Sequence, residues 1–249
     1  MRLPTLLVLG TIASAACTDA GDSPMAPEID QRQGQGAEQA SDASARWYDV
    51  TITNLTRGQP LSPGVFVTHA RNVRLFTVGA KASDGIQMIA ENGDPTAAAR
   101  RVSRLPGVAA VVTSAAPVGV VGGSAFPSSL TVRIEARGNA NRLSLATMLI
   151  CTNDGFTGVG NVKLPGGFRP ESWYARAYDA GTEVNTEADG DIVPPCFGLT
   201  GAPGAGGGGR TAEGGVIAMH PGIAGGAALV PGLHGWSGPV ARITVQRIR

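Results

Sequence analysis

Residues 48–52 alternate strictly, with Tyr48, Val50 and Ile52 apolar and Asp49, Thr51 and Thr53 polar. Successive side chains of a β-strand point to opposite faces, so 47–55 is predicted to bury one face and expose the other. The same period returns in Leu130, Val132 and Ile134 and again in Ile243 and Val245, so strands open and close the folded region. The 36 Gly and 17 Pro among 249 residues favour frequent turns over long helices. These features predict an all-β fold, an antiparallel β-sandwich with one or two short helices.

Between the framing strands, 65–69 and 74–79 are expected to be short extended pieces. Ile86, Ile89 and Ala90 recur at helical spacing, with Ser83 placed to cap and Gly93 to stop a helix. A second short helix is expected over 95–105, with Pro95 at its first position. The apolar run 143–151 suits a strand buried on both faces, and the glycine-dense stretch 201–209 a surface loop.

Ahead of the folded region, Arg2 precedes an apolar stretch that ends in small residues before Cys17. That is the layout of a signal peptide, assigned to 1–17 and implying export to the cell envelope or beyond. Ser14-Ala15-Ala16-Cys17 resembles a lipobox without its usual Leu, so Cys17 is either a lipid anchor to a membrane or a residue near a simple cleavage site. The polar segment 18–45 has too few apolar residues to offset its ordering entropy and is expected to be a disordered linker. The domain proper is assigned to 46–249.

A net charge of +1 and few aromatic residues exclude a nucleic-acid-binding surface built on basic stretches and stacking platforms. With Cys17 set aside, Cys151 and Cys196 remain; in an exported protein they either form a disulfide or stay as separate buried thiols.

Two loops concentrate acidic and small residues: Thr152-Asn153-Asp154-Gly155 and, about 25 residues on, Tyr178-Asp179-Ala180-Gly181-Thr182-Glu183. A hard cation such as Ca²⁺ needs several oxygen ligands, and carboxylates on glycine-permitted turns can converge to supply them. Asp154, Asp179 and Glu183 are therefore candidate metal ligands, although the same strings also make ordinary turns.

These loops, together with Val50-Thr51-Ile52-Thr53-Asn54-Leu55-Thr56, Gln59-Pro60, Ser144-Leu145-Ala146 and the closing Pro239-Val240-Ala241-Arg242-Ile243-Thr244-Val245, resemble the bacterial branch of the spondin N-terminal family. The resemblance implies a β-sandwich akin to C2 domains, as in the extracellular matrix proteins F-spondin and mindin. It also implies a divalent cation and adhesive work, with an extracellular protein or glycan as partner. The family's metal carboxylates would fall on Asp154, Asp179 and Glu183, the last being Asp in the animal proteins.

No catalysis is expected. The three histidines, His69, His220 and His234, stand apart from any nucleophile motif, and no Gly-x-Ser-x-Gly string occurs. The glycines at 119–123 and 201–209 lack the endings of a phosphate-binding loop. Two competing readings are a metal-dependent envelope hydrolase using the same carboxylates with His220, and a purely structural sandwich without an ion.

Overall fold

The computed structural model describes residues 44–249. The expected signal peptide, 1–17, with Cys17, and all but two residues of the expected linker, 18–45, lie outside the described residues. No helix among the described residues is long and apolar enough to cross a membrane.

The framing strands pair with each other. β1 (Arg46–Asn54) runs antiparallel to β10 (Ala241–Ile248), with Val50 opposite Val245, and β4 (Ser129–Ala136) pairs with the other edge of β1. β7 (Glu171–Ala175) completes a four-stranded sheet in the order β4-β1-β10-β7. Its inner face carries Tyr48, Val50, Ile52, Val132, Ile134, Ile243 and Val245, all buried, while the intervening Asp49, Thr51 and Thr244 stay partly exposed. The two-residue period thus separates core from solvent as the sequence requires.

The second sheet holds β2 (Val65–His69), β3 (Val108–Thr113), β5 (Arg142–Met148), β6 (Gly155–Lys163), β8 (Ala177–Asp179) and β9 (Ala218–Met219), ordered β3-β2-β5-β6-β8-β9 and antiparallel throughout. Phe66, Leu143, Leu145 and Val159 face the first sheet. Val65, Val67, Ala146 and Phe156 face away from it, toward α1 (Asp84–Asn92) and α2 (Thr96–Val102). Because a helical layer covers this second face, β5 is buried on both sides, which accounts for its largely apolar run, broken only by the small polar residues Ser144 and Thr147. The all-β sandwich with few short helices is therefore the architecture.

α1 begins and ends where its caps require. Ser83 accepts from the Ile86 N–H, and Gly93, at φ 66°, closes the helix in the left-handed region. α2 differs slightly from expectation: Pro95 stands at the cap rather than inside, and Asp94 Oδ1 accepts from the Thr96 N–H at 2.8 Å. The expected extended piece at 74–79 is not a strand. Phe76 lies over the outer face of the sheet instead, 5.1 Å from Phe156 and 5.4 Å from Tyr178 between ring centroids, so the segment is held by aromatic packing rather than a ladder.

A buried polar hub joins the end of β1 to the loop after β5. Asn54 accepts from the Thr56 N–H and hydroxyl through Oδ1, and donates through Nδ2 to the carbonyls of Gln59 and Gly119. Gln59 in turn accepts from the Cys151 N–H and donates to the carbonyls of Cys151 and His234. A disulfide joins Cys151 to Cys196, the latter on α3 (Pro195–Thr200), with Cα atoms 5.0 Å apart. Met148, Ile192, Phe197 and Leu229 pack around it in a third small core.

Two stability predictions follow from this hub. Gln59→Leu strands a buried N–H and two buried carbonyls, and is expected to cost roughly 2–4 kcal/mol in urea unfolding. A loss under about 0.5 kcal/mol would show that the hub is dispensable. Replacing both cysteines by Ala releases a loop of 45 residues, and the chain-entropy model expects a loss of about 4 kcal/mol. Equal unfolding midpoints for the double variant and the parent would contradict it.

Candidate functional site: the acidic end of the six-stranded sheet

Strand pairing, not sequence proximity, brings the acidic loops together. β6 and β8 align Gly155 with Asp179, so Asp154 at the entry to β6 lies beside the exit of β8. The turn before β6 is set by Thr152, whose hydroxyl donates to the Leu149 carbonyl and accepts from the Gly155 N–H. The turn after β8 is set by Asp179, whose Oδ1 accepts from the Gly181 N–H at 2.7 Å. Gly181 has φ 68°, and a Cβ there would stand 2.6 Å from the Val216 nitrogen, so both backbone conformation and space require glycine.

Asp154 is fully buried. Its Oδ2 accepts three hydrogen bonds, from the Thr182 N–H (2.7 Å), the Thr182 hydroxyl (3.1 Å) and the Glu183 N–H (3.0 Å), while its Oδ1 has no partner. Burial pushes the carboxyl up to about 6; the bond from Glu183 opposes this, the charge of Asp179 adds to it, and the bonds from Thr182 oppose it. Asp179 places its second oxygen on the Asn185 amide at 2.6 Å.

Glu183 is also buried, and burial followed by the charge of Glu91 pushes it up to about 8, against the pull of Arg210. Its Oε1 lies 3.4 Å from Arg210 Nε, an ion-pair contact without hydrogen-bond geometry, so the oxygen still lacks a proper donor. Arg210 also pairs with the buried Glu91 of α1 and reaches the Asn92 amide oxygen. Nothing in the glycine-rich surroundings of Arg210 marks it as a partner of these acids; the contacts span more than 100 residues to α1. Glu187 is a second residue without a sequence signal: buried, at φ 53°, it accepts from the N–H groups of Ala224 and Gly225 and so ties the loop after β9 to this end.

His220 lies in that loop. Its Nδ1 accepts from the Gly222 N–H, its ring meets Trp236 edge-on at 5.1 Å, and its buried Nε2 has no partner. Burial lowers its pKa, against the charges of Asp179 and Glu187. His69 and His234 lie elsewhere, His69 at the end of β2 and His234 beside the disulfide. Trp47 is exposed on the outer face of β1, and Trp173 and Trp236 pack against the inter-sheet core.

Buried carboxylate oxygens without donors, held with like charges nearby, have the chemistry of a hard-cation site. The three acids share one neighbourhood without forming a tight cage. Among the described residues, the set of three potential ligands whose donor atoms all lie within 4.8 Å is Cys151, Cys196 and His234, and its two sulfurs are joined to each other. Asp154, Asp179 and Glu183 thus fit a cation in donor type and burial; a full shell of six to eight oxygens would need carbonyls and water as well.

The fold is thus an antiparallel sandwich with an acidic loop cluster at one end of its second sheet. The family model for the spondin N-terminal domain, Spondin_N, matches residues 56–187, just over half of the chain, and the chain belongs to that family. The match takes in all three acidic residues and stops before β10. The family is an extracellular type of module, which agrees in that coarse sense with the exported location expected from the leader. No curated protein matches the chain.

The raised carboxyls fix a direction of pH dependence. A group whose folded pKa exceeds its unfolded value contributes stability that is fully present below the unfolded pKa and is lost as pH rises through the folded one. For Asp154 and Glu183 that loss runs from about pH 4 up through about 6 and about 8. In chelator, the urea midpoint is expected to fall from about pH 6.5 to about pH 8.5 by this mechanism, and Glu183→Gln to flatten the slope. An identical slope in the variant would remove Glu183 as its source.

Proposed function

We propose that the chain is a non-catalytic binding or adhesion module of the cell envelope or extracellular space, in which Ca²⁺ at the acidic end fixes the loops that meet a protein or glycan partner. The observation that supports the ion most directly is the pair of buried carboxylate oxygens without donors, Asp154 Oδ1 and Glu183 Oε1. Leaving such oxygens desolvated and unpaired costs stability, and a divalent cation offsets that cost by supplying positive charge at the point where water is excluded.

Asp154 and Asp179 would carry the larger share of the ion. Glu183 is divided between the ion and Arg210, and its longer side chain gives it the reach to serve either. The ion supplies charge neutralisation. The chain's own groups set the positions: the Thr182 and Glu183 N–H groups orient Asp154, and the Gly181 N–H and Asn185 orient Asp179.

A hydrolase reading would use His220 as a base or ligand. Its Nε2 is free, but Nδ1 is occupied by the Gly222 N–H, and among the described residues no serine, threonine or cysteine nucleophile is hydrogen-bonded to it. The adhesion reading is favoured for that reason.

Calcium titration of the exported chain by calorimetry is expected to show one saturable site and a rise in melting temperature with Ca²⁺ that chelator reverses. Asp154→Asn with Asp179→Asn should abolish the heat, whereas His220→Ala should leave it in place. A parent protein whose melting is the same in calcium and in chelator would rule out the ion and leave a structural sandwich.

A further inference from the structure

The end of the six-stranded sheet opposite the acidic loops carries the opposite charge. β5 starts at Arg142 and runs toward the acidic loop, and β6 returns from that loop to Lys163, which the register places directly opposite Arg142. Like charges facing each other across an antiparallel pair are destabilising unless an anion lies between or beside them. The turn after β2 adds Arg71 and Arg74. With Asn72, Asn139, Asn141 and Arg142 they line a cleft of about 670 Å³, within the usual range for small-ligand sites.

None of these three arginines has a carboxylate within 4.0 Å among the described residues, although Arg133, Arg137 and Arg210 each do. Arg74 is positioned by neutral groups: it donates to the carbonyls of Arg71 and Val73, and to the Asn161 amide oxygen at 2.9 Å when that amide is turned to face it. Asn161 is itself held at φ 62° at the irregularity between β5 and β6, with its N–H on the Ser144 hydroxyl. Arg142 Nε is buried and has no acceptor. His69, buried at the end of β2 beside Ala70, has its pKa lowered first by burial, against the hydrogen bond with the Ala70 carbonyl, and further by the charges of Arg74 and Arg142. These cations therefore have no carboxylate partner among the described residues.

We propose that this cleft binds a phosphate or sulfate ester carried on a sugar, the repeating chemistry of an anionic glycan, with Arg71, Arg74 and Arg142 meeting the oxyanion and the three asparagines the hydroxyls. A guanidinium fork matches a tetrahedral oxyanion in geometry as well as charge. Carboxamides both donate and accept, as sugar hydroxyls require. The lining contains no aromatic ring on which a base could stack and, Ala70 apart, no apolar wall for an acyl chain. The site is independent of the calcium reading, since it lies at the other end of the sheet and uses none of the same residues.

The test is calorimetry on the full chain in chelator, with sucrose octasulfate and glucose 6-phosphate as charged probes and glucose as the neutral one. Saturable binding of the charged probes, weakened by added salt, is expected, with no heat from glucose. Arg71→Gln with Arg74→Gln, both exposed positions, should weaken binding on the order of tenfold or more, with melting unchanged. Arg242→Gln, an exposed arginine on the other sheet, should bind like the parent. Absence of binding, or binding that the double variant retains at full strength, overturns the proposal. So does binding only to vesicles of equal parts phosphatidylglycerol and phosphatidylcholine, which would point to a lipid surface instead.

Discussion

Burial of the central strands of the six-stranded sheet, β2 and β5, on both faces governs where this domain can place its charges. One face meets the four-stranded sheet and the other meets α1 and α2, so β2 and β5 have no solvated side on which to carry charged groups. Polar chemistry is pushed to the strand ends. Antiparallel pairing then gathers residues distant in sequence at each end: Asp154, Asp179 and Glu183 where β5 hands over to β6, and Arg71, Arg74, Arg142 and Lys163 where β6 finishes. The net charge of +1, a sum over the whole chain, conceals this local division.

The acidic end is held in a costly arrangement. Two carboxylates are buried with one oxygen each lacking a donor, and their protonation is favoured over the ordinary range. Such strain persists only where the surroundings over-determine the geometry. Here the constraint comes from the Asn54–Gln59 hub, from the disulfide and from Glu187, whose N–H donates to Asn153 Oδ1, and together they fix the loop after β5 to the chain on either side. The Asn54–Gln59 hub therefore serves the acidic loops indirectly, as their support. Arg210 contributes the one positive charge paired with this cluster among the described residues and divides it between Glu91 and Glu183.

Much of this was legible in the sequence. The alternation of Tyr48, Val50 and Ile52, and of Ile243 and Val245, fixed two strands and their buried faces, because a two-residue period is a local property of the backbone. Ser83 and Gly93 marked the ends of α1 for the same reason. The acidic strings marked the loops that the strands bring together. The segment at 74–79 misled because its apolar residues pack on Phe156 and Tyr178 across the sheet, a contact that leaves no periodic trace in its own neighbourhood.

By itself the sequence determined the fold class, the two-sided burial of β5 and the positions of the candidate carboxylates, since each rests on patterns within a few residues. Only the tertiary structure decided that Arg210 reaches Glu91 and Glu183, that Cys151 meets Cys196, and that three arginines without acidic partners share one cleft. Those outcomes depend on register and on packing between segments up to 119 positions apart, distances over which no local periodicity carries information.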